Sequence, residues 1–188
     1  MQSRILLLSG KQGSGKTRNS AEICRLAIAA GYSPQVIKFA DPIYEMHDAC
    51  LPILKKYGIR PVEMTKEGEL LQVIGTEYGR NRVSKTVWLD ALLKRVPYVL
   101  AMDRSLMIID DVRFENEMDA FPEALHVRLI CKESVRKSRV SYWREDTSHE
   151  SETALDRYEQ LGKFDLRMDT EFAKLEVTSS VIWREWSK

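Results

Sequence analysis

Residues Ile5-Leu-Leu-Leu-Ser-Gly-Lys-Gln-Gly-Ser-Gly-Lys-Thr17 join a short apolar run to a complete G-x-x-x-x-G-K-[ST] loop. The loop works only between a strand and a helix, so its flanks carry as much meaning as its letters. Its glycines let the backbone curl until the N–H groups face phosphate oxygens. The positive N-terminal end of the following helix adds to them. On this reading Gly10, Gly13, Ser14, Gly15, Lys16 and Thr17 hold the phosphates of a nucleoside triphosphate. Lys16 reaches the β- and γ-phosphates, and the Thr17 hydroxyl ligates Mg²⁺. The competing reading, an ordinary Gly-rich turn, accounts poorly for a full match in the right context. The loop leaves open what becomes of the γ-phosphate.

Outward from the loop, Arg4–Ser9 reads as a strand and Thr17–Ala30 as a helix. Ala21, Cys24, Ala27 and Ile28 share the helix's apolar face, and Gly31 ends it. Gln35–Phe39 is a second strand, which completes a βαβ unit. Asp41 and Pro42 suit the cap and first turn of a helix that runs to about Tyr57, with a bend or break near Pro52. A turn follows at 58–61. Glu67–Tyr78 and Val87–Arg95 carry helical apolar patterns. Leu106–Asp110 is a continuous apolar run, as a buried parallel strand requires. A short helix (Phe114–Phe121), a strand (Leu125–Cys131), a highly charged stretch (132–158), a last strand (Asp165–Asp169) and a closing helix (Thr178–Trp186) complete the chain. The alternation predicts an α/β fold in three layers: a parallel sheet of about five strands covered by helices on both faces. Ligands of such sheets bind at the carboxyl ends of the strands. The phosphate loop, Asp41, residues 110–113 and the start of the charged stretch all fall there.

Length and composition fit one domain. The chain has 188 residues, 44% hydrophobic and 30% charged, an ordinary globular balance. Lys and Arg total 29 against 28 acids, which lacks the basic surplus of a nucleic-acid binder. Cys24, Cys50 and Cys131 match no metal spacing and read as buried, reduced thiols of a cytoplasmic protein. No apolar run approaches a membrane span. The first apolar run leads straight into the phosphate loop, so it reads as a core strand and not as a signal peptide.

A second acidic site follows the buried strand at Asp110-Asp111-Val112-Arg113. Phosphoryl transfer needs an acid here, to hold Mg²⁺ through water or to orient the attacking oxygen. Asp110 is the metal candidate, though the sequence leaves open which of Asp110 and Asp111 serves the metal. Asp111 reads either as a catalytic acid or as a helix cap. Arg113 reads either as a fork for an acceptor phosphate or as a salt-bridge partner of Glu117.

With these blocks in view the chain resembles the bacteriophage deoxynucleoside-monophosphate kinases. The resemblance rests on Leu70-Leu-Gln-Val-Ile-Gly-Thr-Glu-Tyr-Gly-Arg80, on Val87-Trp88, on Asp111-Val-Arg-Phe-Glu-Asn-Glu117 and on Asp146-Thr-Ser-His-Glu-Ser-Glu152, and spans roughly residues 3–170. It implies the nucleoside-monophosphate-kinase version of the P-loop fold, with an acceptor-binding helical region at about 41–96 and a lid at about 132–158. It implies transfer of the γ-phosphate of ATP, with Mg²⁺, to a deoxynucleoside monophosphate, and a homodimer in the host cytoplasm. Gln72, Gly75, Thr76 and Trp88 fall where that family builds its acceptor pocket, and Asp111, Arg113 and Glu117 match its second acidic block. Several relatives carry Asp where this chain has Thr17. Thr is the usual Mg²⁺ ligand of other P-loop enzymes.

Other candidates carry two readings each. Trp88 stacks on the acceptor base or is core beside Leu89 and Leu92. Gln72 bonds a base edge or lies on a helix surface. Arg80 and Arg82 contact the acceptor phosphate or belong to a solvated loop. In the charged stretch, Arg136 and Arg139 share one helical face and are the first choice for closing over ATP, with Arg144 second. The plain alternative is a solvated face. Two rival functions stand beside the first. One is a kinase of another phosphorylated acceptor, such as phosphomevalonate or dephospho-coenzyme A. The other is a non-catalytic nucleotide-binding protein.

Overall fold

The computed structural model describes residues 4–58, 68–141, 143 and 148–188. The elements, in order, are β1 (Ile5–Ser9), α1 (Lys16–Ala29), β2 (Ser33–Ile37), α2 (Asp41–Lys56) and α3 (Gly68–Gln72). A π-helical segment (Val73–Val83) continues α3. Then come α4 (Val87–Leu93), α5 (Val96–Leu100), β3 (Ser105–Val112), α6 (Glu115–Asp119), β4 (Leu125–Ile130), α7 (Glu133–Ser138), α8 (Glu150–Thr153), α9 (Asp156–Gln160), β5 (Leu166–Asp169) and α10 (Leu175–Trp186). They fall into two compact units, residues 1–38 with 95–188, and residues 39–94.

The first unit carries a five-stranded sheet in the order β2-β3-β1-β4-β5, with all neighbours parallel. Alternate residues of the strands point to opposite faces. Leu6, Leu8, Leu106, Ile108, Val127 and Leu129 join Ile23 and Ala27 of α1 and Ile182 and Trp186 of α10 in one buried cluster. Leu7, Met107 and Ile109 point the other way and are just as fully buried. Burial on both faces explains why β1 and the body of β3 read as apolar runs. The fold is thus the expected three-layer α/β sheet. At the edge where the strands begin, Tyr32 meets Trp183 and Trp186 edge-on, with ring centroids 5.6 and 5.3 Å apart. Arg104, held at φ 49°, lies over Tyr32 and donates to Ala30 O.

Several elements depart from the sequence expectations. Helix α2 runs through Pro52 without a break. Pro52 and Asp48, whose carbonyl loses its partner, are both exposed, so water can bond that carbonyl. Asp41 is the first helical residue and not the cap, which is Ala40. The helix expected at 67–78 becomes π-helical at Val73 and extends to Val83. Gly79 packs so close to Trp88 that a Cβ there would lie 2.3 Å from the ring. The Trp88 Nε1–H donates to Gly75 O at 2.7 Å. A reading tuned to a 3.6-residue period cannot see such a segment. Helix α5, with a Pro in its first turn, was not expected at all. The cysteines are free, but Cys50 is exposed and the other two are half-buried.

Candidate active site

The phosphate loop leaves the carboxyl end of β1 and enters α1 at Lys16. Gly13 and Gly15 take φ values of 77° and 94°, which disfavour any side chain. Gly13 is also pressed from outside, since a Cβ there would lie 2.5 Å from Arg136 O. The Lys16 ammonium folds back onto Gly10 O and Lys11 O. Burial, and then the positive charge of Arg113, push the pKa of Lys16 down to about 7, with Glu152 and Asp110 offsetting part of the effect. An anion bound beside Lys16 would oppose both effects.

The loop apex is held from two sides. Gln12 N–H donates to Glu152 Oε2 at 3.1 Å, and Gln12 O accepts from Arg136 Nη1 at 3.0 Å. Arg136 is buried, donates its Nε–H to Cys131 O, and lies over the Trp143 ring at 5.2 Å. It therefore supports the loop backbone. Arg139 caps the same helix and faces differently. It helps to line a cavity of about 690 Å³ with Gly15, Lys16 and Thr17, and its Nη2 donates to Thr170 O at 2.6 Å. Arg144 lies outside the described residues.

At the end of β3, Asp110 is only 2% exposed. Its Oδ2 accepts from Ser20 Oγ at 2.9 Å, and its Oδ1 pairs with Lys38 at 2.9 Å. Asp111 is half-buried. The Arg113 guanidinium donates through Nη1 to Glu152 and to Ser151 O. Burial opposes the charge on both members of this pair, but their mutual attraction outweighs it: Arg113 is held above its ordinary pKa and Glu152 below its own. Glu117 is buried and accepts the backbone N–H groups of Arg113 and Phe114 at 2.7 and 3.1 Å. It caps α6, so the expected Arg113–Glu117 side-chain bridge is replaced by Arg113–Glu152.

In the second unit Gln72 is half-buried, while Gly75 and Thr76 are buried. Arg80 is 6% exposed and donates to Lys85 O at 3.0 Å, which ties the π-helical segment to the turn after it. Arg82 is exposed. Trp88 is 7% exposed, with its ring against Gly79 and its N–H used. Arg80 and the Trp88 N–H thus hold parts of this unit together.

Sequence reasoning missed part of the site. Thr170, Ala173, Leu175 and Thr178 form one wall of the cavity, in a segment that carries no motif. Thr170 Oγ1 also donates to Ser14 O at 3.0 Å. Glu152 lay in a quoted block, but nothing local gave it a role. Among the described residues no group of three His, Cys, Asp or Glu could hold a metal, so Mg²⁺ would need phosphate oxygens as ligands. The exposed Thr17 beside the cavity suits that arrangement.

No protein-family model matches the chain, and a comparison with curated protein sequences finds no match. Solved structures of P-loop kinases share its fold. The Mycobacterium tuberculosis APS kinase in complex with AMPPNP and APS matches with a TM-score of 0.53 and 13% identity, over 100% of this chain and 99% of that one. The Acinetobacter baumannii shikimate kinase in complex with shikimate gives 0.54 and 16%, over 96% and 91%. The dephospho-CoA kinase from Campylobacter jejuni gives 0.52 and 13%, over 97% and 96%. Among the described residues no helix is long and apolar enough to cross a membrane.

Proposed function

We propose that the chain is a kinase that transfers the γ-phosphate of ATP to a deoxynucleoside monophosphate, giving ADP and a deoxynucleoside diphosphate. The observation that carries this reading is the phosphate loop between β1 and α1, whose Lys16 lies within the field of Arg113 just past β3. The sequence blocks at 70–80 and 111–117 supply the acceptor class.

In this proposal the loop backbone from Gly10 through Gly13 and Ser14 to Gly15, with Lys16, binds the triphosphate. Thr17 and Asp110 are the residues that would hold Mg²⁺, and the ion would supply neutralisation of phosphate charge. Arg113 draws the acceptor phosphate toward the loop, and Asp111 lies beside it. Arg139 covers the donor from the cavity wall. Gln72, Gly75 and Thr76 remain the candidates for the acceptor pocket. The acceptor phosphate is already anionic, so the residues supply position and positive charge more than proton transfer. The fold is equally consistent with another phosphorylated acceptor, as the match to a dephospho-CoA kinase illustrates.

The test is ADP release with ATP and Mg²⁺ against deoxy- and ribonucleoside monophosphates, with dephospho-CoA and phosphomevalonate alongside. Turnover with deoxynucleotides supports the proposal. Stimulation by one of the other acceptors alone reassigns the substrate. ATP consumption that needs no acceptor points to a nucleotide-driven switch.

A further inference from the structure

Glu152 sits where two parts of the site must be brought into register. It lies on a four-residue helix whose N-cap, His149, accepts the Ser151 N–H through its ring at 3.2 Å. Three residues on, Leu155 is 2% exposed. Next to it, Asp156 pairs with Arg128 of β4 at 3.2 Å and with Lys11 of the phosphate loop at 3.1 Å. The segment is thus anchored on both sides of Glu152, whose side chain is only 6% exposed. Its two oxygens are divided. Oε2 accepts the Gln12 N–H at the loop apex, and Oε1 accepts from Arg113.

The division matters because of what it leaves over. Among the described residues only Nη1 of the Arg113 guanidinium is engaged. The Nη2–Nε edge keeps its donors, and the side chain is 31% exposed. That edge has the planar fork that matches two oxygens of one phosphate. A carboxylate next to a phosphate site is otherwise unfavourable, since it repels the ligand. Here its charge is matched by Arg113, and the pair directs the arginine relative to the loop apex.

We propose that Glu152 is a positioning residue for phosphoryl transfer: it locks the Arg113 fork to the apex of the phosphate loop, so that acceptor and donor phosphates meet in one geometry. This rests on the kinase reading above. Asp cannot replace it, because a side chain one methylene shorter cannot reach both Gln12 N–H and Arg113.

The test compares Glu152→Gln, Arg113→Ala and the double variant in acceptor-dependent ADP release. Loss of registry predicts a fall of about 100-fold in kcat/KM for the acceptor with Glu152→Gln, with the KM for ATP little changed. In the Arg113→Ala background the same substitution should add almost nothing, because the residue it orients is gone. A full and additive loss in that background would show that Glu152 only supports the fold, and overturn the proposal. Should Glu152→Gln fail to melt cooperatively, Glu152→Asp carries the same comparison with the charge retained. Side-chain ¹⁵N NMR of Arg113 reads the geometry without turnover. Restricted guanidinium rotation in the wild type and free rotation in Glu152→Gln support the proposal, and identical spectra oppose it. A wild type that turns over no acceptor removes the kinase reading, while the NMR comparison still decides whether Glu152 holds Arg113.

Discussion

At the scale of the residue, the proposed nucleotide site bears most directly on Lys16. Without a ligand, burial and Arg113 hold its pKa at about 7. Bound phosphates bring negative charge and return the ammonium to its protonated form. Nucleotide binding should therefore take up close to one proton at about pH 8 and close to none at about pH 6. Calorimetry of AMPPNP binding in buffers of different ionisation heat measures this directly, and a heat that does not depend on the buffer at the higher pH would contradict it. The sign for stability is the reverse of that for a favourably paired lysine. The folded pKa lies below the ordinary 10.5. Between those values the unfolded chain binds more protons, so this group's contribution to stability rises with pH across that window. Below it the charged, buried Lys16 opposes folding. Lys16→Ala should then be at least as stable as the wild type near pH 6 in urea titration, yet transfer no phosphate. A strong loss of stability there would mean that the bonds to Gly10 O and Lys11 O outweigh the burial of the charge.

At the scale of the element, the sheet was legible in the sequence because its central strands β1 and β3 are buried on both faces and leave apolar runs. The π-helical segment was not. Its signal, Gly75 and Gly79 four residues apart, reads as a weakened α-helix, since glycine is a poor helix former at any period. What sets the segment is Trp88, nine residues beyond Gly79, and no local pattern ties the two together. Helix α5 was missed for a simpler reason, being only five residues long. The contact between Gly79 and Trp88 gives a sharp prediction. A Cβ at 79 falls 2.3 Å from the ring, so Gly79→Ala forces the indole or the segment to move. Overpacking of this kind costs about 1–3 kcal/mol. Gly58→Ala is the control: its Cβ meets nothing, though its φ of 72° strains any side chain. Urea titration followed by tryptophan fluorescence separates the two. If residues 72–76 build the acceptor pocket, Gly79→Ala should also raise the KM for the acceptor, which Gly58→Ala should not.

At the scale of the whole molecule, the half of the site that lies along one stretch of chain was readable and the half assembled from distant segments was not. The phosphate loop is continuous, so its sequence is its site. The clamp on its apex joins Gln12 to Glu152 across 140 residues, and a charged stretch such as 132–158 looks like a solvated face until the sheet order brings it to the loop. The cavity wall from Thr170 to Thr178 is the same case. That wall gives the last prediction. The cavity is bounded by the start of α1, through Lys16 and Thr17, and by the start of α10, through Leu175 and Thr178. The two helices are joined by Ser179 Oγ donating to Asn19 Oδ1 at 2.9 Å, and their apolar faces share the cluster on one side of the sheet. A nucleotide seated there touches elements at both ends of the sequence, and must stabilise the folded state as a whole. At a hundred times its Kd it should add about 2.7 kcal/mol. For a domain of this size that raises Tm by about 5–10 °C. Differential scanning fluorimetry with AMPPNP and Mg²⁺ measures the shift, and Lys16→Ala should remove most of it. A Tm that ignores the nucleotide in the wild type would take the triphosphate out of this cavity and the kinase proposal with it.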